Sequence, residues 1–315
     1  MIRMKVYKLS QLISVGVVAL MVLLALIMGF VWLGGRNTRA GENTAASVQT
    51  DAALNLSENA AVPVTAEGKQ SDFPDEPERI RAQVRSIRNE FAVTAPKDKP
   101  RVLIYHTHSY EAYSQDPEHP YTETSRWRTK DRNYNIMGVG THLTEELEKY
   151  GIEVVHDMTE HEPPKLGTAY ERSLKTLQRY ADAGEEFDLI IDLHRDAASD
   201  NNRTPSCVEW NGKEYARLML LIGTGEGSSG NTFKIKPDWK KNYALAQALT
   251  EQLNAQIDGI CRDVMVKTGR YNQHMSVGAV LIEVGHNENT LSQAMNTVEP
   301  LAQAIAEILK NGDGN

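Results

Sequence analysis

The sequence predicts an α/β protein with a mostly parallel sheet flanked by helices, preceded by a transmembrane helix and a flexible linker. Two observations support this prediction. From residue 101 onward, short apolar runs typical of buried strands alternate with segments of helical period, and strands that alternate with helices form parallel β-α-β units. Before that region, a long uncharged run is followed by a polar segment that has no sustained period.

The N-terminal region has the features of a membrane anchor. Residues 12–33 form a run of 22 residues without a charge, which at about 1.5 Å per residue is long enough to cross a hydrocarbon core about 30 Å thick. Arg3, Lys5 and Lys8 precede the run without any acidic residue, so the positive-inside rule predicts a cytoplasmic N-terminus and an extracytoplasmic remainder. The length of the run and the lack of a good cleavage site favour an uncleaved single-pass anchor, residues 1–35, over a cleaved signal.

Residues 36–98 are predicted to be a flexible linker with a short helix near its end. The first part of the linker is rich in Ala, Thr, Asn, Ser and acidic residues, and such a segment buries too little apolar surface to offset the entropy of ordering it. The helix is indicated by apolar residues at helical spacing, namely Ile80, Val84, Ile87 and Phe91.

The remaining residues, 99–315, are predicted to form one catalytic domain. Strands are predicted at 101–107, 152–157, 187–196, 215–225 and 279–285. Helices are predicted at 133–151, 169–184, 242–260 and 297–312. The first two helices end in Gly151 and Gly184, which suits the left-handed conformation common just after a helix.

Charge and cysteine content exclude several classes of protein. The chain has 34 Lys and Arg against 42 Asp and Glu, a formal net charge of −8, so it lacks the basic character of a nucleic-acid binder. Its only cysteines, Cys207 and Cys261, are too few for a zinc ribbon or a disulfide scaffold. A metal site would therefore use His, Asp or Glu.

Side chains of that kind follow the predicted strands at their carboxyl ends, where α/β sheets bind ligands. His108 and Glu111 follow the first strand, His194 stands near the end of the third, and Glu283 near the end of the fifth. Two imidazoles and a carboxylate with one open position form the ligand set of a catalytic zinc, and a further carboxylate can act as general base. None of the spacings is diagnostic alone, because a lone histidine at a strand end is more often a structural residue.

Two acidic residues stand inside apolar strands. Glu283 lies between Ile282 and Val284, and a buried charge without a partner costs several kcal/mol, so such a residue is usually paired or functional. Asp192 falls on the same strand face as His194. We expect Asp192 to hold that imidazole as a hydrogen-bond acceptor.

Three motifs occur in order behind the anchor and linker: LIYHTHSYEAY (103–113), DLHRDA (192–197) and YNQHMSVGAVLIEVGHNENT (271–290). Together they resemble the stage II sporulation protein P family, membrane-anchored zinc N-acetylmuramoyl-L-alanine amidases of spore-forming Firmicutes that are related to the amidase_3 group. The resemblance covers essentially the whole predicted domain. It implies an amidase_3-like fold and a peptidoglycan hydrolase that cuts the amide between the lactyl group of muramic acid and L-alanine of the stem peptide.

The resemblance also implies roles for individual residues. The two zinc-binding histidines of the family fall on His108 and His194, and its catalytic glutamate falls on Glu283. The third zinc ligand is predicted to be Glu111, because Glu111 lies near His108 if the chain turns there. Asp131 is one alternative, and His106 is another because a His-x-His sequence on a strand would place both rings on one face.

Two further residues keep two interpretations each. Arg195 either faces the cleft, where it would support the oxyanion or a stem-peptide carboxylate, or it pairs with Asp196. His286 either lines the cleft or is ordinary packing.

The predicted setting is the septal or engulfing membrane during sporulation, with the catalytic domain outside the cytoplasm. The resemblance implies two partners, a stage II sporulation protein D-type lytic transglycosylase and a stage II sporulation protein M-type membrane protein. Two alternatives remain: an endopeptidase that cuts stem-peptide cross-links with the same site, or a non-catalytic wall-binding scaffold.

Overall fold

The computed structural model describes residues 99–197, 205–227 and 233–310. The predicted anchor (1–35) and linker (36–98), including its short helix, lie outside the described residues. Within the described part of the chain, no helix is both long and apolar enough to span a membrane.

The described residues form α-helices, β-strands and two short 3₁₀ turns. The strands are β1 (Arg101–Tyr105), β2 (Glu153–His156), β3 (Leu189–Asp196), β4 (Cys207–Trp210), β5 (Lys213–Ala216), β6 (Leu218–Gly223), β7 (Met265–Lys267) and β8 (Ala279–His286). The helices are α1 (Ile136–Lys149), α2 (Ala169–Asp182), α3 (Trp239–Gln256), α4 (Leu291–Asn296) and α5 (Val298–Lys310). The 3₁₀ turns are Leu166–Thr168 and Gln273–Met275.

The main sheet has the strand order β2-β1-β3-β8-β6-β7. Strands β2, β1, β3 and β8 run parallel to one another, β6 runs antiparallel to β8, and β7 runs parallel to β6. The mostly parallel sheet flanked by helices is thus confirmed. Parallel pairing places the carboxyl ends of β1, β3 and β8 at one edge of the sheet.

The prediction of a single strand over residues 215–225 is wrong in detail. Its first residues belong to β5, which pairs with β4 as a separate antiparallel hairpin, and β6 begins at Leu218. The hairpin turns at Asn211 and Gly212, whose φ angles are 50° and 73°. An Asn-Gly pair is the residue pair that a two-residue hairpin turn favours, so the sequence does carry the signal for this hairpin.

The two faces of the sheet are covered unequally. The larger core lies against α1, α3 and α5, and β1 contributes Val102 and Ile104 to it. The alternate residues Leu103 and Tyr105 belong to a smaller cluster with Leu177 of α2. Below, the two sides are called the α1 face and the α2 face.

Local signals set the limits of the helices. The Asn135 side chain accepts a hydrogen bond from the Met137 amide at 2.9 Å and caps α1. Gly151 and Gly184 follow α1 and α2 with φ of +71° and +73°, which confirms their predicted place after the helix ends. Thr290 and Gln293 form a reciprocal capping box at α4, a short helix that the sequence reading misses.

Candidate active site

The four predicted site residues lie together on the α2 face, at the carboxyl ends of β1, β3 and β8. The ring centroids of His108 and His194 are 5.2 Å apart, and Nδ1 of His194 is 3.5 Å from Oε2 of Glu111. Glu283 is the register partner of His194 across the β3–β8 pair. Glu111, His194 and Glu283 are only 5%, 3% and 3% exposed, so the cluster is sheltered from bulk water.

A turn after β1 brings Glu111 back towards His108. The chain leaves the strand at Tyr105, and the Glu111 amide donates to the His108 carbonyl at 3.4 Å. The Glu111 carboxylate then accepts the backbone amide of Arg195 at 3.0 Å. This contact ties the turn to the end of β3 beside His194.

The two alternatives for the third ligand lie elsewhere. Asp131 is exposed, and its Oδ1 accepts the Asn133 amide at 3.0 Å within its own turn. His106 is fully buried against α1, where its Nδ1 lies 3.0 Å from the Leu193 carbonyl and its Nε2 lies 2.8 Å from Nε2 of His156. The expectation that His106 and His108 share a strand face is wrong, because β1 ends before His106 and the chain turns between them.

Asp192 contacts His194 as the strand alternation predicts. Its Oδ1 lies 2.8 Å from Nε2 of His194, an ion-pair contact that is not aligned as a hydrogen bond. His194 therefore has a carboxylate beside each ring nitrogen, Asp192 at Nε2 and Glu111 at Nδ1.

These contacts decide the charges of the cluster. Burial opposes the charged form of His194, but Asp192 and Glu111 outweigh it and raise the pKa of His194 well above its usual value. Burial likewise disfavours ionised Glu111, yet contact with His194 lowers the pKa of Glu111 below its usual range. Burial lowers the pKa of His108 to about 3. The surroundings thus stabilise a positive charge between His194 and Glu111.

The pKa of Glu283 is shifted in the opposite direction from that of Glu111. Burial, followed by the charge of Asp196, raises the pKa of Glu283 well above its usual value. Its Oε2 has no hydrogen-bond partner among the described residues. A carboxyl group of raised pKa in a sheltered cluster is the kind of group that general acid–base catalysis uses.

The residues beside Glu283 correct one sequence expectation. The Arg195 guanidinium donates to the backbone carbonyls of Asp196 and Trp127 at 3.1 Å each. The carboxylate of Asp196 pairs instead with Arg262, at 2.7 Å, so of the two interpretations of Arg195 the side-chain pair with Asp196 is wrong. His286 is buried, and its Nε2 has no hydrogen-bond partner in the described ranges.

Tyr170 at the start of α2 is a site residue that the sequence reading misses. Its ring is stacked on His194, with centroids 6.5 Å apart and planes 12° apart. It also meets His108 edge-on at 5.7 Å. The sequence carries no signal for this role, because Tyr170 lies far along the chain from both histidines and belongs to no recognisable pattern.

The cluster fits a zinc ion in the chemistry of its donors. Among the described residues, no group of three or more His, Cys, Asp or Glu side chains is spaced as a preformed metal site. The donors are nevertheless suitable, because Nδ1 of His108 is buried without a hydrogen-bond partner in the described residues and Glu111 favours its ionised form. Two imidazoles and one carboxylate are a ligand set of catalytic zinc.

Cys207 and Cys261 are both free thiols. Burial raises the pKa of each to about 11. Both thiols therefore stay protonated near neutral pH.

Comparison with known proteins gives a family and distant structural neighbours. Stage II sporulation protein P of Bacillus subtilis (strain 168) is 25% identical over 222 residues, which are 67% of this chain and 51% of that protein. The chain therefore spans about half the length of this curated relative.

Solved structures of similar proteins include two from clostridia. One is the catalytic domain of the CD27L endolysin targeting Clostridia difficile, with 14% identity, a TM-score of 0.41 and coverage of 69% of this chain and 99% of that one. The other is an N-acetylmuramoyl-L-alanine amidase from Clostridium difficile 630, with 15% identity, a TM-score of 0.39 and coverage of 67% and 95%. These values are too low to transfer an activity or a site residue.

The match to a whole family is much more extensive. The sequence profile of the family described as stage II sporulation protein P (SpoIIP) matches residues 30–306. The match includes the three motifs and the whole described sheet. The chain belongs to the stage II sporulation protein P family.

Proposed function

We propose that this protein is a membrane-anchored zinc hydrolase that cleaves the N-acetylmuramoyl-L-alanine amide of peptidoglycan during sporulation. The observation that carries the proposal is the convergence of His108, Glu111, His194 and Glu283 at one sheltered edge of the sheet. Membership of the stage II sporulation protein P family supports the sporulation setting and the wall substrate.

In this proposal His108, Glu111 and His194 hold the zinc ion. A zinc ion held by these residues would supply Lewis-acid chemistry: it would polarise the scissile carbonyl and lower the pKa of a water towards neutrality. The carboxylates beside His194 favour a cation at this place, and a metal ion and a proton compete for its Nδ1.

Glu283 transfers the proton. It takes a proton from the attacking water and later gives it to the nitrogen of L-alanine, so that the C–N bond breaks and leaves a lactyl carboxylate and a free amine. The raised pKa of Glu283 suits the donating step. The pKa of Glu283 would fall if the neighbouring ligands held a cation, and this would suit the accepting step.

The proposal extends to the setting of the enzyme. The uncharged run 12–33 anchors the chain with its N-terminus in the cytoplasm, so the catalytic domain faces the septal or engulfing wall. A lytic transglycosylase of the stage II sporulation protein D type and a membrane protein of the stage II sporulation protein M type are the proposed partners.

Mass spectrometry of products tests the proposed reaction. The full-length chain is incubated with purified sacculi, and the released fragments are identified. An amidase releases stem peptides that begin with a free L-alanine amine. Fragments cut only within the cross-links would instead identify an endopeptidase, and unchanged sacculi would identify a wall-binding scaffold.

A further inference from the structure

A chain of buried polar side chains extends from the Nε2 side of His194, opposite Glu111. It consists of Asp192 on β3, Thr107 after β1, Ser173 on α2 and Asn272 before β8, and we call it the Asp192 network. All four residues are buried, with Thr107 and Ser173 completely so.

Each link of the Asp192 network is a short contact. The Thr107 amide donates to Oδ1 of Asp192 at 2.8 Å, and the Thr107 hydroxyl donates to Oδ2 at 2.7 Å. The hydroxyls of Thr107 and Ser173 are 2.8 Å apart. Nδ2 of Asn272 donates to the Ser173 hydroxyl at 3.0 Å and to the Tyr170 carbonyl at 3.0 Å.

The hydrogen bonds between Thr107 and Asp192 have a defined direction. The amide and the hydroxyl of Thr107 both donate, so the Asp192 carboxylate accepts from each of them. The Thr107 hydroxyl donates its single hydrogen to Asp192, so it can only accept in its 2.8 Å contact with Ser173, whose hydroxyl also lies 3.3 Å from the Tyr170 carbonyl. Ser173 in turn accepts from the amide of Asn272. The Asp192 carboxylate therefore accepts two hydrogen bonds from Thr107, one at Oδ1, the oxygen that contacts His194, and one at Oδ2.

The backbone at the far end of the network is in an unusual conformation. Tyr271 and Asn272 are consecutive non-glycine residues with φ of 47° and 54°. Such residues cost free energy and persist only where the surroundings hold them. The Asn272 side chain in this conformation contacts α2 at two places, the Ser173 hydroxyl and the Tyr170 carbonyl. The ring of Tyr170 in turn packs against His108 and His194.

We propose that Thr107, Ser173 and Asn272 are positioning residues that act through Asp192 to keep Nδ1 of His194 turned towards Glu111, and so set the affinity for zinc. This inference rests on the zinc site of the proposed function. Histidine ligands generally depend on a carboxylate or carbonyl at their second nitrogen, and loss of such a group weakens metal binding about 10- to 100-fold. Here the carboxylate itself depends on three residues from other elements.

The chain offers a matched control. Thr176 is a buried threonine on the same helix as Ser173, and its hydroxyl is 2.9 Å from Nε2 of the buried His161. Replacing either threonine by valine keeps the side-chain shape and removes one buried hydroxyl. Of these two threonines, only Thr107 is linked to His194 through the Asp192 carboxylate.

The test measures zinc affinity by competition with a chromophoric chelator, using the full-length chain. Thr107→Val should weaken zinc binding about 10-fold, because Asp192 loses the hydroxyl that donates to its Oδ2. Thr107→Ser should restore the affinity to within about twofold, since the hydroxyl returns. Ser173→Ala should weaken binding less than Thr107→Val because it lies one link further from His194.

Thermal melting of the metal-free proteins separates positioning from folding. Thr176→Val should lower the melting temperature about as much as Thr107→Val and leave zinc affinity unchanged. The inference is overturned if Thr107→Val binds zinc as tightly as the wild type, or if Thr176→Val weakens binding to the same extent. If Thr107→Val does not fold, Ser173→Ala decides by the same two readouts. A wild-type chain that binds no zinc would overturn the proposed function as well, which distinguishes the two failures.

Discussion

The two faces of the sheet each hold a pair of histidine rings at nearly the same separation. His106 and His156 on the α1 face have centroids 5.1 Å apart, and His108 and His194 on the α2 face have centroids 5.2 Å apart. In the first pair the ring nitrogens contact neutral groups: the two Nε2 atoms contact each other, and Nδ1 of His106 contacts a backbone carbonyl. In the second pair, His194 lies between two carboxylates.

The difference in partners gives different charge states to two buried rings, His106 and His194. Burial lowers the pKa of His106 to about 3 and that of His156 to about 4, so this pair stays neutral. Asp192 and Glu111 raise the pKa of His194 against the same burial. The neighbouring carboxylates, rather than burial, therefore decide which pair of histidines can hold a cation. Only the pair on the α2 face has such carboxylates, Asp192 and Glu111, in contact with one of its rings.

The largest expected effect concerns the proton-transferring residue beside the second pair. Glu283→Gln keeps the shape of the side chain and removes the group that exchanges the proton, so peptide release from sacculi should fall at least about 10²- to 10⁴-fold. Zinc content, measured by atomic absorption, should stay at the wild-type level. Release at the normal rate would show that Glu283 has been assigned the wrong role.

The next largest effect tests whether the Glu111 carboxylate completes a metal site with His108 and His194. Glu111→Gln should lower zinc affinity more than the roughly 10- to 100-fold expected for an outer residue, because a direct ligand is lost. Asp131→Asn is the matched control, since Asp131 is exposed and contacts only its own turn. A larger loss of zinc affinity in the Asp131 variant than in the Glu111 variant would reverse the assignment of the third ligand.

The smallest effect concerns the neutral pair and appears as a dependence of stability on pH. An unfolded histidine has a pKa near 6.5, whereas His156 and His106 have folded values of about 4 and about 3. Between about pH 6.5 and pH 4 the unfolded chain binds more protons, so stability falls as pH falls, by up to about 1.4 kcal/mol per pH unit for each histidine.

Urea unfolding of the metal-free chain at several pH values measures this slope. His156→Gln removes one of the two histidines of this pair, so the slope between pH 4.5 and 6 should become shallower by about one proton. An unchanged slope would mean that the pair does not stay neutral in the folded protein.

Much of the fold and the site could be predicted from local sequence patterns. The apolar runs ending in His194 and Glu283 indicate strands, and parallel pairing brings their ends together. Strand alternation alone places Asp192 beside His194. The Asn-Gly pair at 211–212 also carries its hairpin signal, although a single strand over 215–225 was the simpler prediction.

Other parts depend on contacts between distant segments and could not be predicted. Tyr170 is stacked on His194 because α2 packs across that end of the sheet, and no local pattern fixes where a helix lies along a sheet. The opposite sides taken by His106 and His108 depend on where β1 ends, a boundary that a short apolar run does not define. Asn272 joins Ser173 from a turn about a hundred residues away.

The dependence of peptide release on zinc tests the central claim most directly. The full-length chain is stripped of metal with a chelator, assayed on purified sacculi, and assayed again after one equivalent of zinc is returned. We expect no release by the stripped protein and recovery of stem peptides with free L-alanine amines after zinc is added. Equal release by the stripped and the zinc-loaded protein would contradict this claim.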